Sequence, residues 1–187
     1  MWVIVVVVLV AVVVLASTLV VRRGGADTAT AAASADPSAG VSISRAGGSK
    51  VGDLAPEFTA VTLNGEQFKV PVGKPTVVFF MAGWCASCFP EAQALARVDS
   101  RYGDRVAILA VSPDPSDTLA GLRDFSEQAG ASYGFAHDRD GALAGALDIR
   151  ALDSTVVVDS NGRIVYRDSF PTDEATLVAA LGKAGLR

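Results

Sequence analysis

At 187 residues the chain suits one domain, with enough left to build a core once its N-terminal segments are set aside. Half of the residues are hydrophobic and the net charge is −4. That balance disfavours nucleic acid as a partner, because binding phosphates needs a basic surface.

The first segment, WVIVVVVLVAVVVLASTLVV, runs from Trp2 to Val21 without a charge. Its length is about what a helix needs to cross a hydrocarbon layer. The β-branched valines do not oppose this, since in lipid the backbone must satisfy its own hydrogen bonds. A cleaved signal peptide is the competing reading, supported by the Ala- and Ser-rich stretch that follows. The apolar run exceeds the usual signal core of about 7 to 15 residues and no Lys or Arg precedes it, so a retained transmembrane anchor over residues 1–23 is expected. Trp2 would sit at one interface and Arg22 with Arg23 at the other.

Residues 24–49, rich in Gly, Ala, Ser, Thr and Asp, read as a flexible linker. Residues 50–187 are then the folded domain. It holds 13 basic and 18 acidic residues once Arg22, Arg23, Arg45, Asp27 and Asp36 are excluded, a net charge of −5.

Within the domain, FTAVTLNGEQFKV (Phe58 to Val70) alternates around Asn64-Gly65 and predicts a hairpin. PTVVFFM (Pro75 to Met81) is a continuous apolar run that fits a strand covered on both faces. A helix is expected from Cys85 or Ala86 to Gly103, with Leu95 and Val98 facing inward. A buried strand over Arg105 to Ser112 follows. After the turn residues SPDPSD comes a helix with Leu119, Leu122 and Phe125 at helical spacing. A short helix covers Asp140 to Leu147, a second hairpin turns at Asn161-Gly162, and a capped amphipathic helix closes the chain. The sum is an α/β domain: a central sheet of mixed direction with helices on both faces.

Both cysteines lie in MAGWCASC, two residues apart, and three readings are open. A zinc site normally needs four ligands, and the sequence offers two thiols with His137 some fifty residues away. A purely structural disulfide would close a tiny loop and add little chain-entropy stabilisation. A redox pair at a strand-to-helix junction is favoured, because helix N–H groups and the helix dipole stabilise a thiolate. Cys85 would attack a substrate disulfide, and Cys88, one turn on, would resolve the mixed disulfide.

Trp84, Cys85 and Cys88 after the apolar strand resemble the WCxxC site of the thioredoxin superfamily. VGDLAPEFTAVTLNGE, GKPTVVFFMAGWCASC and STVVVDSNGRIVYR are similar to the opening, active-site strand and closing hairpin of the membrane-tethered TlpA/ResA-like thiol:disulfide oxidoreductases. The resemblance implies a thioredoxin-like fold with an N-terminal hairpin and no cofactor or metal. It implies protein dithiol or disulfide clients, a membrane thiol electron donor, and a domain outside the cytoplasm. The outward placement runs against Arg22 and Arg23, which by the positive-inside tendency favour the opposite orientation.

Family roles carry to a few positions. Glu91 matches a glutamate that helps move protons, and Trp84 matches the tryptophan beside the disulfide. Asp153, next to Ser154, stands where the family has a cis-proline that faces the CxxC motif and pairs with the client backbone, so Trp84, Asp153 and Ser154 are the expected client-contacting residues. A cis bond before a non-proline residue costs about 2.5 to 4 kcal/mol, so a trans bond is expected. An aspartate there would oppose thiolate formation, and replacing it with Pro would then favour the thiolate. Ala86 and Ser87 stand between the cysteines, where the family often has a proline. His137, in a polar turn, reads as structural or exposed, and Arg150 and Arg167 as surface charges.

Two other functions are weighed. A peroxiredoxin needs Thr or Ser and Pro where this chain has Ala82 and Val78. A binding module with vestigial cysteines is the other, prompted by the missing proline.

Overall fold

The computed structural model describes residues 40–187. The expected anchor at Trp2 to Val21 and the linker up to residue 39 lie outside the described residues. Among the described residues no helix is long and apolar enough to cross a membrane.

A five-stranded mixed sheet forms the centre, ordered β6-β5-β4-β7-β8. Its middle strand β4 (Thr76–Phe80) pairs in parallel with β5 (Ala107–Ser112) and antiparallel with β7 (Ser154–Val158). The outer strands are β6 (Gly134–His137), parallel to β5, and β8 (Ile164–Arg167), antiparallel to β7. Strand β4 reads as an unbroken apolar run because its two faces feed two separate cores. Val77 and Phe79 point into one core, Val78 and Phe80 into the other.

The first core lies under α1 (Phe89–Tyr102), α2 (Leu119–Ala129) and α4 (Glu174–Lys183), which bring Leu95 and Val98, Leu122 and Phe125, and Leu177 and Leu181. The second lies under α3 (Ala142–Ala146) and a smaller antiparallel sheet, β1-β2-β3. In that sheet β2 (Glu57–Val61) and β3 (Gln67–Val70) form the expected hairpin, with Phe58 opposite Val70 and Gly65 at φ 81° in the turn. Each face thus buries a row of large side chains, worth roughly 1.5 to 3 kcal/mol apiece when fully covered. The thioredoxin-like arrangement of central mixed sheet and flanking helices is therefore present.

Two strands depart from the sequence reading. Val41–Arg45, placed in the flexible linker, forms β1 and pairs antiparallel with β2. Its side chains are mostly exposed, so hydropathy carries no signal, and the ladder to an existing hairpin edge holds it. Gly134–His137 forms β6 instead of a polar turn, because its inner residues continue the core beyond β5. His137 is accordingly buried, its Nε2 2.9 Å from the carbonyl of Asp114.

The boundaries also shift. Helix α1 begins at Phe89, not at Cys85 or Ala86, and Cys88 is its N-cap residue. Residues 86–88 make a tight turn first, with Cys88 N–H donating to the Cys85 carbonyl. The cap of α2 is Thr118, whose hydroxyl accepts from Gly121 N–H, rather than a residue of SPDPSD. Arg105 lies in a 3-10 turn before β5.

Candidate active site

The cysteines sit where β4 ends and α1 begins, and they are bonded to each other, Sγ to Sγ at 2.01 Å. The loop carrying them is held from below. Gly83 N–H donates to Oδ2 of Asp117, 2.9 Å, and the Ser112 hydroxyl donates to the same oxygen. A side chain at Gly83 would press on the Gly121 backbone at 3.3 Å, so the close approach to α2 suits glycine. Cys85 is 4% exposed and Cys88 is fully buried. Cys85 opens on a groove of about 320 Å³ lined by Trp84, Ala86, Phe89, Phe125 and Gln128. The sulfur pair is therefore asymmetric, with one member at the groove and the other behind it.

Trp84 is 65% exposed, and its indole N–H donates to Oδ2 of Asp114 over 2.7 Å. This fixes the ring as a wall of the groove instead of packing it over the disulfide as core filler. Bonds from the Ser116 backbone and hydroxyl, then from Trp84, hold the Asp114 carboxyl below its ordinary range. Phe89 and Phe125 meet edge to face at 5.6 Å and complete the apolar side.

Glu91 is 1% exposed, on the face of α1 that carries Leu95 and Val98. Its Oε1 accepts from the Thr155 hydroxyl at 2.5 Å and its Oε2 from the Thr172 N–H at 2.8 Å. Burial dominates over these bonds and pushes its pKa up to about 8, with Asp168 and Asp153 adding repulsion. Such a carboxyl holds or releases a proton near neutral pH.

Asp153 occupies the predicted position facing the cysteines. Its carboxylate and both sulfurs lie within 4.8 Å of one another. It is 4% exposed, and Oδ1 has no hydrogen-bond partner. Burial raises its pKa, partly offset by Ser87. The expected trans bond is present, since the cis peptide among the described residues is Val70–Pro71. Asp153 adopts φ 60°, and its N–H donates to the Phe80 carbonyl at 2.9 Å. That donor is thus committed within the sheet, and a proline would both lose it and require negative φ.

Ser154, read as client-contacting, is fully buried. It pairs with Phe80 in the ladder and donates its hydroxyl to Ala151 O, 2.8 Å, behind the site. Arg150 pairs with Asp148 at the surface, and Arg167 donates to the carbonyls of Ser49 and Asp148.

One acidic residue went unread in the sequence. Asp168 accepts from Thr155 N–H (2.9 Å), the Tyr166 hydroxyl (2.6 Å) and the Thr172 hydroxyl, joining β7, β8 and the start of α4. The Tyr166 hydroxyl is pushed up to about 12, by burial first and then by its bond to Asp168. Asp168 lies at the end of a hairpin with nothing in its local sequence to mark it. Glu91 did carry a signal, since 91, 95 and 98 share one helical face with two apolar residues.

The AhpC/TSA family model matches residues 51–167. The chain is 28% identical over 122 residues to the thioredoxin-like protein YneN of Bacillus subtilis, covering 63% of this chain and 70% of the relative. It is 24% identical over 119 residues to the thiol-disulfide oxidoreductase ResA of Bacillus thuringiensis, covering 62% and 68%. The solution structure of a putative protein disulfide isomerase from Bacteroides thetaiotaomicron superposes with a TM-score of 0.64 at 20% identity, over 80% of this chain and 93% of that one. With a CxxC disulfide at the junction of β4 and α1, the chain belongs to the AhpC/TSA family and is a ResA-like thiol-disulfide oxidoreductase of the thioredoxin superfamily.

Proposed function

We propose that the chain exchanges dithiol and disulfide with client proteins while tethered to a membrane, its domain outside the cytoplasm. The observation that carries the exchange step is the disulfide set at an apolar groove, with Cys85 facing it and Cys88 behind.

In the reducing direction, the Cys85 thiolate attacks one sulfur of a client disulfide. A Cys85–client disulfide forms, and the client's other sulfur leaves as a thiolate and takes a proton. Cys88 then loses its proton and attacks Sγ of Cys85, releasing the second client thiolate and restoring the Cys85–Cys88 disulfide. The reverse sequence oxidises a client dithiol, and the compartment's potential selects the direction. Glu91, one turn along α1 from Cys88 and with a pKa near neutrality, takes up and returns the proton of the second step. Trp84 and the phenylalanine pair hold the apolar part of the client chain against Cys85.

The anchor reading rests on the uncharged stretch from Trp2 to Val21. A membrane thiol donor supplying electrons from the other side is what the family resemblance implies.

Replacing Cys88 with Ser and purifying the chain from cells is the test. A client retained through a reductant-sensitive bond to Cys85 is expected. No such adduct, together with wild-type behaviour of both Cys85→Ser and Cys88→Ser, favours the binding module. Labelling intact cells with a membrane-impermeant thiol reagent, after reduction with an impermeant phosphine, tests the orientation: labelled Cys85 places the domain outside.

A further inference from the structure

The sequence offered too few nearby ligands for the zinc reading, and the fold supplies one from the start of the neighbouring strand. Asp153 reaches the site because β7 runs antiparallel to β4 with Ser154 opposite Phe80, so the residue before Ser154 arrives beside the loop after Phe80. One carboxylate oxygen and two sulfurs then lie within 4.8 Å of one another. A tetrahedral zinc ion with sulfur at about 2.3 Å and oxygen at about 2.0 to 2.2 Å holds such atoms nearly 4 Å apart. Small side-chain rotations after the disulfide opens reach that spacing.

The independent sign of a ligand site is Oδ1 of Asp153. It is a buried carboxylate oxygen without a hydrogen-bond partner, on a residue 4% exposed. Burying a carboxylate oxygen unpaired is costly, and the backbone that carries it is held at φ 60° against the ordinary preference of aspartate. A cation beside the sulfurs would satisfy it. The groove at Cys85 gives an entry path to that sulfur.

We propose that the reduced site, Cys85, Cys88 and Asp153, binds one thiophilic divalent cation of the zinc class, and that the bound ion keeps the dithiol from exchanging. The inference rests on the disulfide being reducible, as the exchange reading requires. A dithiol first reduces the pair, opening the Cys85–Cys88 bond to two thiols while the reductant becomes a disulfide. Binding then displaces two protons from the thiols and changes no oxidation state. Two thiolates select zinc over magnesium or calcium, and the single carboxylate completes three protein ligands with one open position.

The experiment uses the full chain in detergent, reduced with dithiothreitol, freed of reductant without air and shown by thiol titration to carry both thiols. Zinc ion alone is titrated against a chromophoric chelator. The reduced chain is expected to withdraw one zinc per chain and the oxidised chain none. Asp153→Asn should bind more weakly by at least the roughly 10- to 100-fold that losing a mere supporting group costs. Asp153→His, which restores a ligand, should recover most of that loss. Equal affinity for wild type and Asp153→Asn overturns the site, as does a reduced chain with both thiols that withdraws no zinc.

Cobalt(II) on the wild type gives a readout that needs no variant to fold. A thiolate-to-cobalt charge-transfer band with a tetrahedral ligand-field spectrum supports the site, and its absence overturns it. Disulfide exchange is measured on the same metal-free sample. Exchange without zinc binding sinks the metal inference alone, whereas zinc binding without exchange sinks the exchange reading alone.

Discussion

The Thr155 hydroxyl donates to Oε1 of Glu91 over 2.5 Å, joining β7 to α1 across 64 residues of sequence. With Thr172 N–H on the other oxygen, the carboxyl is satisfied by neutral donors and has no cationic partner among its hydrogen bonds. It is therefore a buried acid whose proton is linked to stability.

The sign follows from the raised pKa. Between the ordinary value of 4.5 and about 8 the folded chain keeps a proton that the unfolded chain has released. This stabilisation is present below 4.5 and lost as pH rises through about 8, at up to about 1.4 kcal/mol per pH unit within the window. Thermal unfolding should occur at a lower temperature at about pH 9 than at about pH 6. Glu91→Gln can donate to Thr155 and accept from Thr172, so it should flatten that dependence. A variant with the wild-type pH profile would show that another group governs it.

Exchange should respond to the same substitution. Glu91→Gln cannot take up the Cys88 proton, and general-base loss of this kind costs on the order of 10²-fold in rate. Stopped-flow oxidation of the reduced chain by a model disulfide is the measurement. The wild-type rate should show an inflection near the Glu91 pKa that vanishes in the variant. An unchanged rate and profile would remove Glu91 from proton transfer.

The backbone of Asp153 adds a stability prediction to the one the family resemblance made for the Cys85 thiolate. Asp153→Gly keeps φ 60° without strain and removes the unpaired buried oxygen, so stability should rise by about 1 to 3 kcal/mol. Asp153→Pro forbids that φ and deletes the bond to Phe80 O, so it should lower stability. Removing the charge should also speed alkylation of reduced Cys85 at neutral pH. Chemical denaturation of both oxidised variants checks the order, and Pro above Gly would overturn it.

Trp84 separates client binding from chemistry. Being 65% exposed, it contributes little to the core, so Trp84→Ala should leave the melting temperature nearly unchanged. Loss of a groove wall should lower kcat/KM for a protein client by roughly 10-fold or more, while a small disulfide reagent reacts as before. Trp84→Phe, which loses the bond to Asp114, should fall between. Equal losses for large and small substrates would place Trp84 in the chemistry instead.

The sequence made legible what rests on local periodicity and turn chemistry. Strand β4, helices α1, α2 and α4, and the hairpins at Gly65 and Gly162 follow from apolar spacing and positive-φ glycines. Strand β1 was invisible because its hydrogen bonds go to an edge that exists only after β2 and β3 have folded. The cysteine pair was evident from its spacing, but the start of α1 was not, since residues 86–88 form a turn closed by Cys88 N–H on the Cys85 carbonyl before the helix begins at Phe89. Asp168 was missed because its importance comes from three donors on three different elements.

The carboxylate that faces the sulfur pair, Asp153, and both donors that hold Glu91, Thr155 and Thr172, come from the final fifth of the chain. During synthesis the cysteines therefore emerge well before the groups that surround them. A nascent or C-terminally shortened polypeptide would carry its thiols without the Asp153 carboxylate beside them. Completion of the chain thus acts as the step that turns an ordinary cysteine pair into a tuned one.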